Sequence, residues 1–264
     1  MPTLGPTLGP SLGPSPSFGA AAATIYDQVT AGTVNTFIQA HLSSVDDFTP
    51  GGLWTFNDTG NDQLAPDYGG GGYDMDAGGG SSLVASPHGK AAPQTGGSGG
   101  YWVTSDPTAL EVTTVAFAFA ARVKFTAKPA GLAGWLARGA LASAHYRLTI
   151  DASGFPAMAA KQAGAETVAS VASDVTDSAW RWVLGGRTVT NELLWVHLFD
   201  GGATAAFVAA KDLTNGAALF GLWDGSSAGG VTCQVDHLIA WTGAAAENVY
   251  THRNNLLFED GTPS

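Results

Sequence analysis

Two apolar runs joined by an Asp-Gly pair constrain the possible folds of this chain more than any other stretch. Residues 193–199 form the first run, Asp200-Gly201 opens the connection, and residues 205–209 form the second run. A tight hairpin turn needs positive φ, which glycine adopts freely and aspartate tolerates. A further apolar run at 180–187 precedes the pair. We therefore predict a β-hairpin with a neighbouring strand, placed at the centre of a β-sheet core.

Strict alternation of large apolar side chains with small or polar ones predicts further strands. In residues 114–125 the large side chains recur at every second position, which puts them on one face of a strand. The same period recurs at 145–150 and at 231–241. The residues predicted to share a core-facing side are Val115, Phe117, Phe119, Ala121, Val123 and Phe125 in the first segment, and Val231, Cys233, Val235, His237, Ile239 and Trp241 in the last.

Shorter strands are predicted at five other places, and turns separate them all. These strands are expected at residues 51–57, 82–85, 101–103, 168–171 and 219–223. About ten strands, with helices only near the chain ends, indicate an antiparallel sandwich or barrel. The large apolar face of each strand, opposite a small or polar face, favours the sandwich. The 36 glycines, 13 prolines and 12% charged residues suit a chain of many short strands and turns.

Two helices are predicted outside the strands. Apolar residues between Thr24 and Leu42 recur at spacings of three and four, with a break expected at Gly32. We expect this helix to pack on the sandwich or on sister subunits. Thr242 is predicted to cap a short helix that continues to Leu257. The predicted organisation is an extended arm at 1–19, a helical linker at 20–50, a β-sandwich at 51–258 and a tail at 259–264.

The first 19 residues repeat the pattern Pro-(Thr/Ser)-Leu-Gly three times with a period of four. So many prolines favour an extended or polyproline-like arm, because proline fixes φ and removes a hydrogen-bond donor. An inert tail is one interpretation. Regularly spaced leucines favour a docking arm instead, in which each leucine fills a pocket of a neighbouring protein. The predicted partner-binding residues are Pro2, Leu4, Pro6, Leu8, Pro10, Leu12, Pro14 and Phe18.

The acidic balance of the chain weighs against polyanionic partners. Its net charge is −11 and its pI is about 4.7, so we expect neither nucleic-acid binding nor membrane insertion. No run reaches the roughly 18 apolar residues of a membrane span, and no secretory signal opens the sequence. The protein is therefore expected to be made in a cytoplasm. Cys233, the single cysteine, is predicted to be a small buried hydrophobe.

Three stretches, at residues 52–67, 180–201 and 235–250, carry a resemblance to a known family. The first joins Gly-Leu-Trp-Thr-Phe-Asn to an acidic loop, and the second joins a Trp-containing strand to the Asp-Gly hairpin. The third is a closing strand ending at Trp241, followed by a short helix. Together they resemble the concanavalin A-like lectin/glucanase jelly rolls, in particular the laminin-G-like domains. The resemblance implies an all-β, antiparallel jelly-roll β-sandwich, here with a Pro-rich N-terminal arm, an N-terminal helix and a short C-terminal helix.

The catalytic patterns of this and other hydrolase families are missing from the sequence. Glycosidases of the resembled family carry Glu-x-Asp-x-x-Glu on one strand, and none of the five glutamates begins such a motif. Residues 96–100 match Gly-x-Ser-x-Gly, but the strand before and the helix after that a nucleophile elbow requires are absent from the pattern. The six histidines show no His-x-x-x-His spacing, so a zinc site has no support. We therefore predict a protein that is not an enzyme.

Acidic loop residues are the candidates for a metal site. Asp58, Asp62 and Asp67 offer hard oxygen ligands that suit calcium, and related folds often hold calcium in such loops. Solvated turn residues explain the same pattern more simply. No other cofactor is predicted.

The eight tryptophans raise the question of sugar stacking. Trp102, Trp135 and Trp223 lie near strand ends or loops and are the candidates for glycan binding. Four others, Trp54, Trp182, Trp195 and Trp241, lie within predicted strands and are expected in the core.

A domain of this kind with a Pro-rich arm resembles bacteriophage virion components. The function it implies is a capsid decoration (cement) protein or a head or tail fibre protein, localised in the virion. The arm would dock on a major capsid or tail protein and on sister subunits, as a homotrimer. The alternative is a lectin-like adhesion module that binds a host surface glycan, and a glycan hydrolase is the third candidate.

Overall fold

The computed structural model describes residues 33–57, 60–69, 71–87, 89–95, 99–104, 108–110, 112–198, 201–214, 219–224, 230–259 and 262–263. The predicted arm, and residues 24–32 of the predicted N-terminal helix, lie outside these ranges. Among the described residues, no helix has both the length and the apolar character needed to cross a membrane.

Two antiparallel sheets of eight strands each form a β-sandwich, which confirms the predicted fold class. Sheet A has the order β14-β13-β12-β7-β16-β5-β4, and β1 pairs with β16 beside β5. Its strands are β1 (Gly52–Trp54), β4 (Val84–Ser86), β5 (Gly89–Gln94), β7 (Phe117–Phe125), β12 (Trp180–Thr188), β13 (Leu193–Leu198), β14 (Gly201–Ala206) and β16 (Cys233–Thr242).

Sheet B packs against sheet A and has the order β11-β10-β9-β8-β15-β6-β3-β2. Its strands are β2 (Leu64–Ala65), β3 (Met75–Gly78), β6 (Tyr101–Thr104), β8 (Ala133–Arg138), β9 (His145–Ile150), β10 (Pro156–Lys161), β11 (Thr167–Ser170) and β15 (Phe220–Leu222). The remaining elements are helices α1 (Thr33–Leu42) and α2 (Gly243–His252), a 3₁₀ turn (Thr108–Leu110) and a C-terminal hairpin of β17 (Leu257–Glu259) and β18 (Thr262–Pro263).

The core between the sheets is built largely from aromatic rings. Tyr146 of β9 stacks on Phe117 and Phe119 of β7, with ring centroids 4.5 Å and 5.5 Å apart. Phe220 of β15, which belongs to the same sheet as Tyr146, also stacks on Phe119, with ring centroids 5.6 Å apart. Because these contacts join the two sheets, the alternation predicted for residues 117–125 is confirmed. Val115 is an exception, since β7 begins at Phe117 and Val115 remains 40% exposed.

The hairpin predicted from the Asp-Gly pair is present, but it lies at an edge of sheet A rather than at its centre. β13 pairs with β14 from Leu198 and Gly201 to Leu193 and Ala206. The second strand therefore begins earlier than the predicted 205–209. Sheet A has β12, β7 and β16 in its middle because β12 pairs with β7 and β7 pairs with β16. Residues 199 and 200 lie outside the described ranges.

Helices α1 and α2 form a third layer on the outer face of sheet A. Val34 and Ile38 of α1 and Val249 of α2 join a second buried cluster on that face. Trp241 of β16 belongs to this cluster, and its indole nitrogen donates to the carbonyl of Phe48 at 2.9 Å. The predicted packing of the N-terminal helix on the sandwich is thus confirmed. The small side chains predicted on the other face of β7, Ala116, Ala118 and Ala120, are buried under the helices.

A β-bulge in β16 reverses which side chains face the core. Val235 pairs with Val123, whereas His237 pairs with Arg122, so Asp236 is the extra residue. Asp236 is fully buried and forms an ion pair with Arg122. The ion pair stabilises Asp236 at the bulge, because a buried carboxylate without a counter-charge would destabilise the folded state.

The bulge makes part of the predicted strand pattern wrong. Cys233 and Val235 face the inter-sheet core as predicted, but beyond the bulge this role passes to Leu238 and Ala240. Ile239 and Trp241 face the helices instead. A strict period of two fails wherever one residue is inserted into a strand.

The C-terminal helix is shorter than predicted. α2 ends at His252, and Leu257 already belongs to β17. Thr242 occupies the N-cap position with extended backbone angles, but its side chain makes no capping hydrogen bond.

Candidate functional site

The outer face of sheet B is the broad sheet surface that no helix covers in the described part of the chain, because α1 and α2 pack on sheet A. We call this surface the open face and define it by Tyr101 of β6, Arg147 of β9, Glu166 of the β10–β11 loop, and Trp223, which follows β15. Its accessible part lies at Tyr101, Glu166 and Trp223, since Arg147 and the other outward-facing residues of β8 and β9 are buried. Alternation along β9 places Tyr146, Leu148 and Ile150 in the core. Arg147 consequently projects to the open face.

Small residues surround Arg147 on the neighbouring strands. Its direct partners are Ala137 on β8 and Ala159 on β10. Both alanines are buried although they point away from the core. Cross-strand neighbours of this kind lie about 5 Å apart at Cβ, which leaves room for a long side chain to lie along the sheet.

Arg147, Glu166 and His145 form one hydrogen-bonded network on the open face. Arg147 donates from Nε and Nη2 to the two carboxylate oxygens of Glu166, at 2.8 Å and 2.9 Å. Nε2 of His145 lies 2.8 Å from Glu166 Oε1, and its Nδ1 lies 2.9 Å from the carbonyl oxygen of Ser143. Both ring nitrogens of His145 therefore face acceptor oxygens.

Glu166 is held as a carboxylate. Burial opposes ionisation, but hydrogen bonds from His145 and Arg147, together with their charges, outweigh it and lower the pKa of Glu166 from 4.5 to about 2. Two parallel hydrogen bonds to one guanidinium give strength and fixed geometry. An acid held in this way is a poor proton donor at neutral pH.

Two aromatic residues belong to the other side of the open face. β15 pairs with β6 so that Leu222 is opposite Trp102. Tyr101 precedes Trp102 on β6, and Trp223 follows Leu222 in a bend where its backbone N–H donates to the carbonyl oxygen of Gly221 at 3.1 Å. The ring of Tyr101 is 41% exposed and lies over its cross-strand partner Gly78. A Cβ on Gly78 would come within 2.1 Å of that ring, so glycine is needed to seat it.

Trp223 reaches β8, the strand beside Arg147. Its indole nitrogen donates to the carbonyl oxygen of Ala137 at 2.9 Å, and Ala137 is the β8 partner of Arg147. The indole is partly exposed. Exposed aromatic faces beside a few fixed polar groups are the usual composition of a small-molecule binding site.

Two of the three tryptophans predicted to bind a glycan do not reach this surface. Trp102 and Trp135 are both 0% exposed. Trp102 packs edge-on against Phe56, because alternation in β6 turns it inward. Trp135 lies at a bulge in β8 and packs edge-on against Phe125. These two predictions are wrong, and Trp223 remains a candidate. The four tryptophans expected in the core are buried.

The calcium candidates serve other contacts where the structure describes them. Asp67 accepts backbone N–H groups of Leu53 and Gly69 on Oδ1 and of Tyr73 on Oδ2, at 2.7–3.1 Å. Asp62 is exposed and pairs with Lys90. Asp58 lies outside the described ranges. Within those ranges no group of three or more His, Cys, Asp or Glu residues is arranged to hold a metal.

Several predicted residues need no ligand to explain them. Cys233 is buried as predicted, and burial raises the pKa of its thiol, which favours the unreactive protonated form. Its Sγ lies 3.5 Å from Gln94 Oε1. The predicted partner-binding residues between 2 and 18 lie outside the described ranges.

Sequence reasoning did not identify the Arg147 network or Tyr101. The alternation at 145–150 does place His145 and Arg147 on the face opposite the core. Nothing in the sequence connects them to Glu166, which is 19 residues after Arg147. The exposed ring of Tyr101 could have been suspected from its place beside inward-facing Trp102.

Comparison with known proteins supports the fold. No protein-family model and no curated protein matches the sequence. The binding domain of Paraclostridial Mosquitocidal Protein 1 superposes with a TM-score of 0.56 at 9% identity, over 77% of this chain and 52% of that chain. The binding domain of botulinum neurotoxin DC in complex with SialylT gives 0.53 at 9% identity, over 80% and 49%.

An enzyme shares the same architecture. Trypanosoma rangeli sialidase in complex with 2,3-difluorosialic acid superposes with a TM-score of 0.53 at 11% identity, over 83% of this chain and 37% of the sialidase chain. The present chain thus spans about half of the two toxin binding domains and about a third of the sialidase. At these identities the similarity establishes a β-sandwich fold and nothing further.

Proposed function

We propose that this protein is a carbohydrate-binding module and that the open face of sheet B is its binding surface. The observation that carries the proposal is that Tyr101 and Trp223, one exposed and one partly exposed aromatic side chain, share the outer face of sheet B with a fixed network of polar groups. The rings offer flat apolar surfaces for the C–H faces of a sugar. Polar groups around them supply directional hydrogen bonds to hydroxyls. The toxin binding domain crystallised with SialylT supports this proposal by analogy of fold.

Binding rather than cleavage is the proposed activity. Glu166 is the carboxylate fixed on the open face, and its pairing with Arg147 keeps it ionised. A glycosidase needs a second carboxyl group that stays protonated to act as general acid. Release of reducing sugar from any bound oligosaccharide, abolished by a single carboxylate substitution, would overturn this part of the proposal.

The test compares alanine variants of the two aromatic residues in binding assays. A glycan array identifies the ligand of the wild-type protein, and titration calorimetry then measures Tyr101→Ala and Trp223→Ala. We expect each variant to bind about tenfold more weakly or worse, equivalent to about 1.4 kcal/mol. Tyr68→Ala is the matched control, because Tyr68 is 36% exposed but lies in the loop after β2. Unchanged affinity in both open-face variants would contradict the proposal.

Calcium dependence is tested in the same assay. Binding that survives EDTA is expected, because the described calcium candidates are engaged in backbone hydrogen bonds or an ion pair. Loss of binding in EDTA and its recovery with calcium would assign a role to the loop of Asp58 and Asp62.

We also propose that the module is carried on a bacteriophage virion, as a capsid decoration or fibre protein. The period-four Pro and Leu pattern of residues 2–14 supports this proposal, with docking on a capsid or tail protein and on sister subunits in a homotrimer. Deletion of residues 1–19 is expected to abolish particle association and to leave glycan binding intact. Association that survives the deletion would refute the docking arm, and a monomeric mass in light scattering would refute the trimer.

A further inference from the structure

Arg147 and Lys161, the lysine and arginine side chains that point from β9 and β10 to the open face, are already engaged. Arg147 is neutralised by Glu166. Lys161, which pairs with His145 across β9 and β10, donates from Nζ to the carbonyl oxygen of Leu141 at 3.2 Å. Asp76 on β3 is exposed at the far side of the face. Arg147 and Lys161 thus both donate to groups of the same chain.

Recognition of an acidic sugar needs a cationic side chain that can donate hydrogen bonds to the carboxylate of the ligand. Arginine does this best, because its planar fork matches a carboxylate with two parallel bonds. In this protein the guanidinium of Arg147 donates both of its parallel hydrogen bonds to Glu166. An acidic ligand would have to displace a carboxylate that is part of the same chain and that His145 also holds.

We propose that the open face selects neutral sugars over anionic ones, and that Glu166 is the specificity-determining residue because its carboxylate occupies the fork of Arg147. This inference rests on the proposed glycan-binding function. The structure that keeps Glu166 in place is local: β10 and β11 pair directly and frame the short loop that carries it. An intramolecular competitor has an effective concentration in the millimolar range or above.

The overall charge of the protein acts in the same direction. With a net charge of −11, the chain repels anionic ligands at long range at low ionic strength. This repulsion weakens with added salt, whereas occupation of Arg147 by Glu166 does not depend on long-range fields. A preference for neutral sugars that persists at 0.5 M salt therefore points to Glu166 rather than to net charge.

The experiment uses the full-length wild-type protein and pairs of oligosaccharides that differ by one acidic residue. Each neutral oligosaccharide, such as lactose and its extended forms, is measured beside its sialylated or glucuronylated counterpart. We expect at least tenfold tighter binding of the neutral member. Tighter binding of the acidic member would overturn this inference and leave the glycan-binding proposal standing. Absence of binding to all members would overturn the proposed function, and this inference with it.

The role of Glu166 is tested by substitution. Glu166→Gln removes the charge that holds the fork and is expected to raise affinity for the acidic member about tenfold relative to affinity for the neutral member. The double variant Glu166→Gln with Arg147→Gln is expected to lose that gain. Asp76→Asn removes one negative charge from the same face without freeing Arg147 and is the matched control. An equal gain in affinity for the acidic member in Asp76→Asn, or no such gain in Glu166→Gln, would refute the role of Glu166. Circular dichroism establishes that each variant is folded.

Discussion

The ion pair between Glu166 and Arg147 predicts a specific dependence of stability on pH. The folded-state pKa of Glu166 lies at about 2, below its ordinary value of 4.5. A carboxyl group with a lowered folded-state pKa stabilises the protein above its unfolded-state pKa, and that contribution is lost as pH falls through the folded-state value. The contribution of Glu166 is therefore complete at pH 7 and disappears between about pH 4.5 and pH 2.

The size of the effect follows from the pKa difference. A shift of roughly 2.5 units corresponds to about 3 kcal/mol as an upper limit. The side chain of Glu166 is 19% exposed, so solvent screening reduces the expected contribution to about 2 kcal/mol. At pH 3 roughly three fifths of this stabilisation is lost. Glu166 is then protonated in the unfolded chain but still ionised in the folded chain, so the folded state no longer gains its full advantage.

Urea unfolding of the wild type and of Glu166→Gln at pH 7, 5 and 3 measures this contribution. We expect Glu166→Gln to be less stable by about 2 kcal/mol at pH 7, and the difference to shrink to about 1 kcal/mol at pH 3. Asp76→Asn, at an exposed position of the same sheet, should follow the wild type at every pH. A difference that stays constant from pH 7 to pH 3 would refute the assignment of Glu166 as a strongly paired carboxylate.

Two further predictions concern the core that supports the open face. In Gly185→Ala the new methyl would lie 2.6 Å from Cδ2 of Leu148, so we expect the free energy of unfolding to fall by about 1–3 kcal/mol. In the control Gly131→Ala nothing lies within 4 Å of the new atom, and the free energy of unfolding should change by less than about 0.5 kcal/mol. Equal urea midpoints for the two variants would contradict this packing. Asp236→Asn leaves Arg122 buried at the bulge without its counter-charge and should cost about 3 kcal/mol in the same assay; wild-type stability in this variant would show that the pair does not hold the bulge.

Alternation in the sequence predicts the strands whose two faces differ most. Residues 117–125 and 145–150 place large rings on one side and small or polar groups on the other, and both segments are strands in the expected orientation. The strands that were not predicted are rich in alanine and glycine. β8 and β10 carry sequences such as Pro-Ala-Met-Ala-Ala-Lys, and small side chains give no contrast between faces and little β-propensity.

Contacts with other elements also determine features of a strand that its own sequence does not indicate. The alanine face of β7 is buried by helices α1 and α2, which the alternation within the strand does not indicate. The bulge at Asp236 has no local signal, because its stabilising partner Arg122 is on another strand. Glu166 belongs to the candidate site through a contact that only the sheet topology creates. Tertiary partners thus determined the parts of the site that sequence patterns did not predict.

Mapping the bound glycan on the protein tests the central claim most directly. Once an array has identified a ligand, hydrogen–deuterium exchange is measured with and without it. The account predicts slower exchange in β6, Tyr101–Thr104, and in residues 220–224, with no change in α1, Thr33–Leu42, on the opposite side of the sandwich. Protection confined to the α1 and α2 layer, or to the loop at 60–69, would contradict the placement of the binding surface on the open face of sheet B.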